Sequence, residues 1–318
     1  MIKKIRTIFM GTPDFAVPGL NAIINDDSFE IIAAFTQPDK PVGRKQIMTP
    51  PPIKVAAQKF NIPVFQSEKI KEELENISKL EADLIVVIAY GKIIPQSILD
   101  LPKFKCVNVH ASLLPKYRGS ACLNAPIING DGKTGITIMR MDSGMDTGPI
   151  LFQKEIALNG DETLEIVHDK LSSLGAEYLP IILKDWTEGK IKEQEQDESK
   201  ATYVKKLEKE DGRINWGKPA IEIERQVRGL NPWPGTYSIT SNNSEIKNKT
   251  IKILKVDNNI LKSNKHKIGE VFLYNNGLAI QSGQDSLLIL NLQIEGGKAL
   301  ESKEFLRGNK NIVGCILN

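Results

Sequence analysis

Residues Ala82–Ala89 read ADLIVVIA, an almost unbroken apolar run. Such a run suits a strand covered on both faces, as in the middle of a parallel sheet with helices packed above and below. The surrounding sequence agrees. Ile5–Met10 is a short β-prone run, followed by a glycine and proline turn and then by AVPGLNAII at helical spacing. Glu30–Thr36 (EIIAAFT) is a second strand candidate, and Val55–Phe60 begins a second helix. Strands alternating with helices predict an α/β fold with a doubly wound, mostly parallel sheet. Ligands of such sheets sit beyond the carboxyl ends of the strands, so the segments that follow each strand matter most.

The rest of the chain bounds the answer. At 318 residues and 35.3 kDa it is long enough for two domains, and 41% hydrophobic with 25% charged residues excludes intrinsic disorder. No apolar run approaches the roughly 18 to 20 residues that would span a bilayer. The greasy part of the amino terminus, Thr7–Met10, is too short for a secretory signal. Cys106, Cys122 and Cys315 lie far apart and form none of the paired spacings of zinc or dithiol chemistry, which points to a reducing cytoplasm. Net charge is −1 up to Lys206 and +4 beyond it, an excess that permits a polyanionic partner without requiring one.

Between the second strand and its helix lies QPDKPVGRKQIMTPPPIK, Gln37–Lys54, far longer than such connections usually are. It holds Lys40, Arg44, Lys45 and Lys54 against a single acid, Asp39, and reads either as a functional loop or as a solvated one. Asp161–Lys184 has the spacing of a long amphipathic helix, and Gly189–Lys206 is polar enough for a linker. A helix over Ala220–Leu230 and short β-prone runs at Thr250–Val256, Gly269–Tyr274, Leu278–Ser282 and Ser286–Ile294 then predict a small antiparallel β-barrel. The expected division is a catalytic domain over 1–189, a linker over 190–206 and a second domain over 207–318.

The densest chemical signal runs from Cys106 to Ile150. In CVNVHAS, Asn108 and His110 stand two residues apart on a strand, so both side chains point to one face. An amide donor and an imidazole suit an oxygen that gains negative charge. A bare Asn-x-His is weak evidence, since a satisfied histidine at a strand end gives the same pattern. MDSGMDTGP then offers Asp142 and Asp146 on a glycine-rich loop after another strand, whose end is expected at the same sheet edge. A carboxylate brought to the histidine would fix its tautomer and favour imidazolium. Both aspartates could equally cap turns. His168 and His266 add no ligand cluster, so no metal is expected, and GTPDF matches neither the three-glycine dinucleotide fingerprint nor a phosphate loop. Ser112 and Ser120 lack the glycines of a nucleophile elbow.

FMGTPDFAVPGL, the Gln37–Lys54 segment, VVIAYGKIIP, VNVHASLLPKYRGS, GITIMRMDSGMDTGPIL, EDGRINW and NPWPGT, in that order, resemble the methionyl-tRNA formyltransferases, a branch of the 10-formyltetrahydrofolate-dependent formyltransferase family. The resemblance covers nearly the whole chain. It implies a Rossmann-like formyltransferase domain, an OB-like barrel, and transfer of the formyl group of 10-formyltetrahydrofolate to the α-amine of methionyl initiator tRNA. Asn108, His110 and Asp146 match the family's catalytic trio. The folate is expected against the backbone of Ala89, Tyr90 and Gly91 and the loop holding Asp142, with Ser112, Leu113, Leu114 and Pro115 shaping the cleft. Lys40, Arg44 and Lys45 correspond to the loop that engages the acceptor arm of tRNA, and Lys247, Lys249, Lys252 and Lys255 are candidates for RNA backbone contact. A monomer with no membrane partner is expected.

The sequence departs from the family after Ser120, where Ala121, Cys122, Leu123 and Asn124 stand in place of the usual Ala, Pro, Ile and Gln. Two other readings share these features. An amino-sugar nucleotide formyltransferase would use the same trio but has no need of the long basic loop, and a non-catalytic RNA-binding protein gives no reason for the trio.

Overall fold

The computed structural model describes residues 3–43, 45–241, 246 and 248–318. In chain order the elements are β1 (Ile5–Gly11), α1 (Val17–Ile24), β2 (Phe29–Thr36), β3 (Lys40–Val42), β4 (Ile47–Thr49), α2 (Pro52–Lys59), β5 (Val64–Gln66), α3 (Leu74–Lys79), β6 (Leu84–Ile88), α4 (Gln96–Leu99), β7 (Cys106–His110), β8 (Arg118–Gly119) and α5 (Asn124–Asn129). They continue with β9 (Lys133–Arg140), β10 (Ile150–Ala157), α6 (Leu164–Thr187), β11 (Tyr203–Val204), α7 (Ala220–Leu230), β12 (Thr236–Ile239), β13 (Thr250–Val256), β14 (Val271–Tyr274), β15 (Gly277–Gln281), β16 (Ser286–Ile294), β17 (Leu300–Glu301) and α8 (Ser302–Gly308).

The chain divides into two compact units. The first comprises residues 1–122, 134–156 and 167–204, and the second residues 123–133, 157–166 and 205–318. A seven-stranded sheet ordered β10-β9-β7-β6-β1-β2-β5 organises the first unit. β1 pairs in parallel with β2 and β6, as do β2 with β5 and β6 with β7. All five residues of β6 are buried, as the ADLIVVIA run requires. Strand order reverses between β1 and β6, so the ligand crevice of a doubly wound sheet falls at their carboxyl ends.

The Thr12 hydroxyl donates to the Tyr90 carbonyl at 2.9 Å, and the Gln37 amide donates to the same oxygen at 3.0 Å, tying the ends of β1, β2 and β6 together. One expectation is corrected here. β9 runs antiparallel to β7, with Arg140 opposite Val107 and Thr137 opposite His110, so its carboxyl end lies beside the start of β7. Asp146 reaches the histidine because the 141–149 loop folds back.

The long basic connection contains the antiparallel β3–β4 hairpin, which registers Lys40 with Thr49. The polar stretch expected as a linker is hydrogen-bonded into the first unit as far as residue 204. Gln194 exchanges backbone hydrogen bonds with Ile150, and β11 pairs in parallel with β8. The second unit is an antiparallel sheet ordered β12-β13-β16-β15-β14, with β17 on β16. Its terminal residues close it. Ser241 N–H donates to the Ile316 carbonyl beyond β12, and Val271 N–H donates to the Cys315 carbonyl on β14, so one tail links the two edges into a barrel. Ile223 and Val227 of α7, Ile253, Leu287 and Phe305 fill the interior.

Candidate functional site

β7 ends at the edge of the sheet beyond which the crevice lies, and it places Asn108 and His110 on one face, both buried. Among the described residues no protein group hydrogen-bonds the Asn108 amide. His110 Nε2 lies 3.0 Å from the Tyr117 carbonyl oxygen. A carbonyl can only accept, so Nε2 carries the proton. Nδ1 then faces Asp146, at 3.6 Å from Oδ2. This separation is an ion-pair distance longer than a hydrogen bond, so Nδ1–H is not consumed by the carboxylate. The same Oδ2 accepts the Gly119 N–H at 2.8 Å. Gly119 has φ +107, and a Cβ there would meet the Val204 carbonyl oxygen at 2.2 Å, so only glycine can deliver that N–H.

Burial pushes the His110 pKa down, but the Cys122 side chain, the Asp146 carboxylate and the Tyr117 carbonyl outweigh it and raise the value to about 9. The imidazole is therefore charged at neutral pH. Of these partners Asp146 is the carboxylate, its Oδ2 standing 3.6 Å from Nδ1.

The loop after β7 is pinned at several points. Thr137 Oγ1 donates to the Ser112 carbonyl at 2.6 Å and accepts the Leu114 N–H, while Gln153 donates to the Leu114 carbonyl. The Ser112 hydroxyl donates to the Lys116 carbonyl at 2.6 Å, so this side chain shapes the loop and is spent on it. Leu114 packs with Met139 and Ile150, and the Leu114–Pro115 bond is cis. Asp142 Oδ1 accepts from Gly144 N–H and from the Thr147 hydroxyl, closing its own loop as the turn-capping alternative anticipated.

Ala89 (φ +47) and Gly91 (φ +77) turn the chain beyond β6. The Tyr90 ring is buried in the core and its carbonyl is occupied, so the turn can offer a ligand only main-chain groups flanking it. Leu113 and Pro115 lie on the pinned loop. A shallow groove of about 470 Å³ along Ile156, Asp169, Lys170 and Glu177 includes none of these residues.

Of the cations singled out from sequence, Lys40 and Lys45 are exposed on or beside the β3–β4 hairpin, and Lys40 donates to Gln37. Val42, Ile47 and Met48 on the same hairpin are more than half exposed. Lys249, Lys252 and Lys255 are exposed at or on β13. Arg44 and Lys247 lie outside the described residues. Asn124, at the departure from the family pattern, has its amide on the Gly229 carbonyl at 2.7 Å, so in this structure it bonds within the second unit. Sequence reading passed over Gln196 and took in Arg118 only as part of VNVHASLLPKYRGS, and both are buried against the site. Only the YRGS context hinted at Arg118, and nothing marked Gln196.

Residues 3–183 match the formyl transferase family and residues 206–310 the formyl transferase C-terminal domain, so the chain belongs to the formyl transferase family. Among curated relatives, the methionyl-tRNA formyltransferase of Geobacter sulfurreducens is 44% identical over 307 residues, covering 96% of this chain and 94% of that protein. The methionyl-tRNA formyltransferase of Bacillus velezensis is 42% identical over 315 residues, covering 98% and 97%. Among solved structures, the fold resembles WlaRD, a sugar 3N-formyl transferase, with a TM-score of 0.64 at 21% identity, covering 90% of this chain and 98% of that one. It also resembles HypX from Aquifex aeolicus in complex with tetrahydrofolic acid, with a TM-score of 0.65 at 16% identity, covering 96% of this chain and 47% of that one.

Proposed function

We propose that this chain transfers the formyl group of 10-formyltetrahydrofolate to the α-amine of methionyl initiator tRNA, with Asn108, His110 and Asp146 as the catalytic residues. The observation that carries the reading is the placement of His110, fixed through Nε2 to the Tyr117 carbonyl and facing Asp146 across 3.6 Å. It stands beside Asn108 in a chain that aligns over nearly its full length with methionyl-tRNA formyltransferases. The site suits a folate donor. The Ala89–Gly91 turn lies at the reversal point of the sheet, and the two donor side chains share one face of β7.

The donor supplies a formyl carbon open to attack by a neutral amine. α-Amino groups titrate near pH 8, so a fraction of the acceptor is ready at neutral pH. As the amine nitrogen bonds to that carbon, the formyl oxygen gains negative charge, and the Asn108 amide and His110 Nδ1–H donate to it. Asp146 keeps the imidazole charged and, through a water, accepts the proton that the amine sheds. The bond from the formyl carbon to N10 then breaks as that proton passes on to N10, releasing tetrahydrofolate and leaving Asp146 ionised. Lys40, Arg44 and Lys45 are assigned to the acceptor end of the tRNA, and Lys247, Lys249, Lys252 and Lys255 to RNA phosphates. Incubation with formyl-labelled donor and methionyl-tRNA tests the reading. Label should enter the aminoacyl-tRNA, and release of label only as formate would refute it.

A further inference from the structure

Arg118 is fully buried, an unusual place for a guanidinium. Its Nη1 donates to Glu198 at 2.9 Å and to the Tyr203 hydroxyl at 2.8 Å, and its Nη2 donates to Glu198 at 2.6 Å. Its Nε and Nη2 both reach Gln196 Oε1, at 3.1 and 2.8 Å. The other end of that amide, Gln196 Nε2, donates to the Asp146 carbonyl at 2.8 Å and to the Gly148 carbonyl at 2.7 Å. The residue after Arg118 donates its N–H to the Asp146 carboxylate, and the residue before it offers the carbonyl that holds His110 Nε2. A closed circuit therefore runs from Arg118 through Gly119 to the Asp146 carboxylate, along Asp146 to its carbonyl, and through Gln196 back to the guanidinium. It encloses an aspartate with φ +55, a left-handed conformation that a non-glycine residue adopts only when its surroundings over-determine it.

We propose that Arg118 and Gln196 are positioning residues for the transfer, a buried bracket that sets the Asp146 carboxylate against His110 by gripping the backbones on which both depend. The inference rests on the trio assigned above. Neither side chain touches substrate, since both are spent on protein partners. Gln196 is suited to the joint because one neutral amide accepts from the guanidinium and donates to the two carbonyls, a combination that no carboxylate or cation offers. Glu198 supplies the counter-charge that lets Arg118 stay buried.

The test uses the full chain with two variants. Gln196→Met keeps the length of the side chain and removes both ends of its bonding. Arg118→Lys keeps the charge for Glu198 but cannot span Glu198 and Gln196 together. The chain has three histidines, so the His110 ring signal can be assigned in an NMR titration by its absence in His110→Gln. The groups facing His110 are Asp146, Cys122 and the Tyr117 carbonyl, and both variants leave all three in place. Release of Asp146 should lower the His110 titration midpoint by about 1 pH unit or more. It should also lower kcat at pH 7.5 by roughly tenfold to a hundredfold, with KM for tRNA unchanged within about twofold. If Gln196→Met does not fold, Arg118→Lys alone decides. A wild-type midpoint and wild-type kcat, with only a lower melting temperature, would overturn the proposal. The titration reads the bracket without any turnover, so a chain that formylates nothing would defeat the proposed function while leaving the bracket separately measurable.

Discussion

Replacing Asp146 by Asn removes a charge while retaining size and most hydrogen-bonding capacity, so the consequence is chiefly electrostatic. Oδ2 stands 3.6 Å from His110 Nδ1, and the carboxylate is one-fifth exposed. At that separation a unit pair is worth about 1 kcal/mol at the dielectric of water and about 4 to 5 kcal/mol at an effective value of 20. Partial exposure places the figure between these limits. At 1.36 kcal/mol per pH unit, the His110 midpoint should fall by about 1 to 3 pH units. The sign follows from the direction of the perturbation. The folded-state pKa is raised above its ordinary value of 6.5 to about 9, so the charged form and the stability it contributes are fully present below 6.5 and lost as pH climbs through 9.

Catalysis by an imidazolium should therefore fail on the alkaline side, near pH 9 in the wild type and near about pH 7 in the variant if the shift is about 2 pH units. For that shift, the protonated fraction at pH 7.5 drops by about fourfold, a loss that vanishes at pH 6 and adds to any pH-independent cost of losing the proton acceptor. Single-turnover formylation rates from pH 6 to 10, with donor and tRNA saturating, measure both limbs. An alkaline midpoint that stays near 9 in Asp146→Asn would refute the claim that this carboxylate sustains the charge.

Other expectations follow from the same geometry. Asn108→Ala should lower kcat by about 10² to 10³ with little change in KM for tRNA, because the amide acts on charge that develops only during transfer; steady-state kinetics with both substrates checks this. Replacing Arg44 and Lys45 together by Ala should raise KM for tRNA and reduce the log–log salt slope of binding by roughly 1.5 to 2; filter binding between 50 and 200 mM salt gives the slope. Glu224 and Arg228 form a buried pair on α7, and Arg228 also donates to the Glu162 carbonyl at 2.6 Å. Glu224→Ala leaves a guanidinium buried without its partner and should cost about 3 to 5 kcal/mol in urea unfolding.

What the sequence made legible follows periodicity. ADLIVVIA gave β6, Ala220–Leu230 gave α7 residue for residue, and Thr250–Val256 and Ser286–Ile294 coincide with β13 and β16. The long helix begins at Leu164, where the apolar spacing begins, behind Thr163, which accepts from Ile166 N–H, while Glu162 turns its carboxylate to the Asn159 and Gly160 N–H groups. The β3–β4 hairpin escaped because its three-residue strands carry Lys, Pro and Thr with no clean alternation. The direction of β9 was misjudged because an apolar strand reads alike for either orientation, and only long-range pairing settles it.

Asn108, His110 and Asp146 were visible as residue types at telling positions. The circuit that holds Asp146 was not. Gln196 sits in QEQDESK, where an amide among charges reads as solvated surface, and its burial follows from β11 docking on β8 some eighty residues away in sequence.

Donor and acceptor are tested together by a competition. Formyl-labelled 10-formyltetrahydrofolate is offered to the purified chain with methionyl initiator tRNA and an amino-sugar nucleotide present at once, and kcat/KM is measured for each acceptor. Label should accumulate on the methionyl-tRNA, with negligible transfer to the sugar. Preferential labelling of the sugar nucleotide, or no transfer to either amine, would contradict the account.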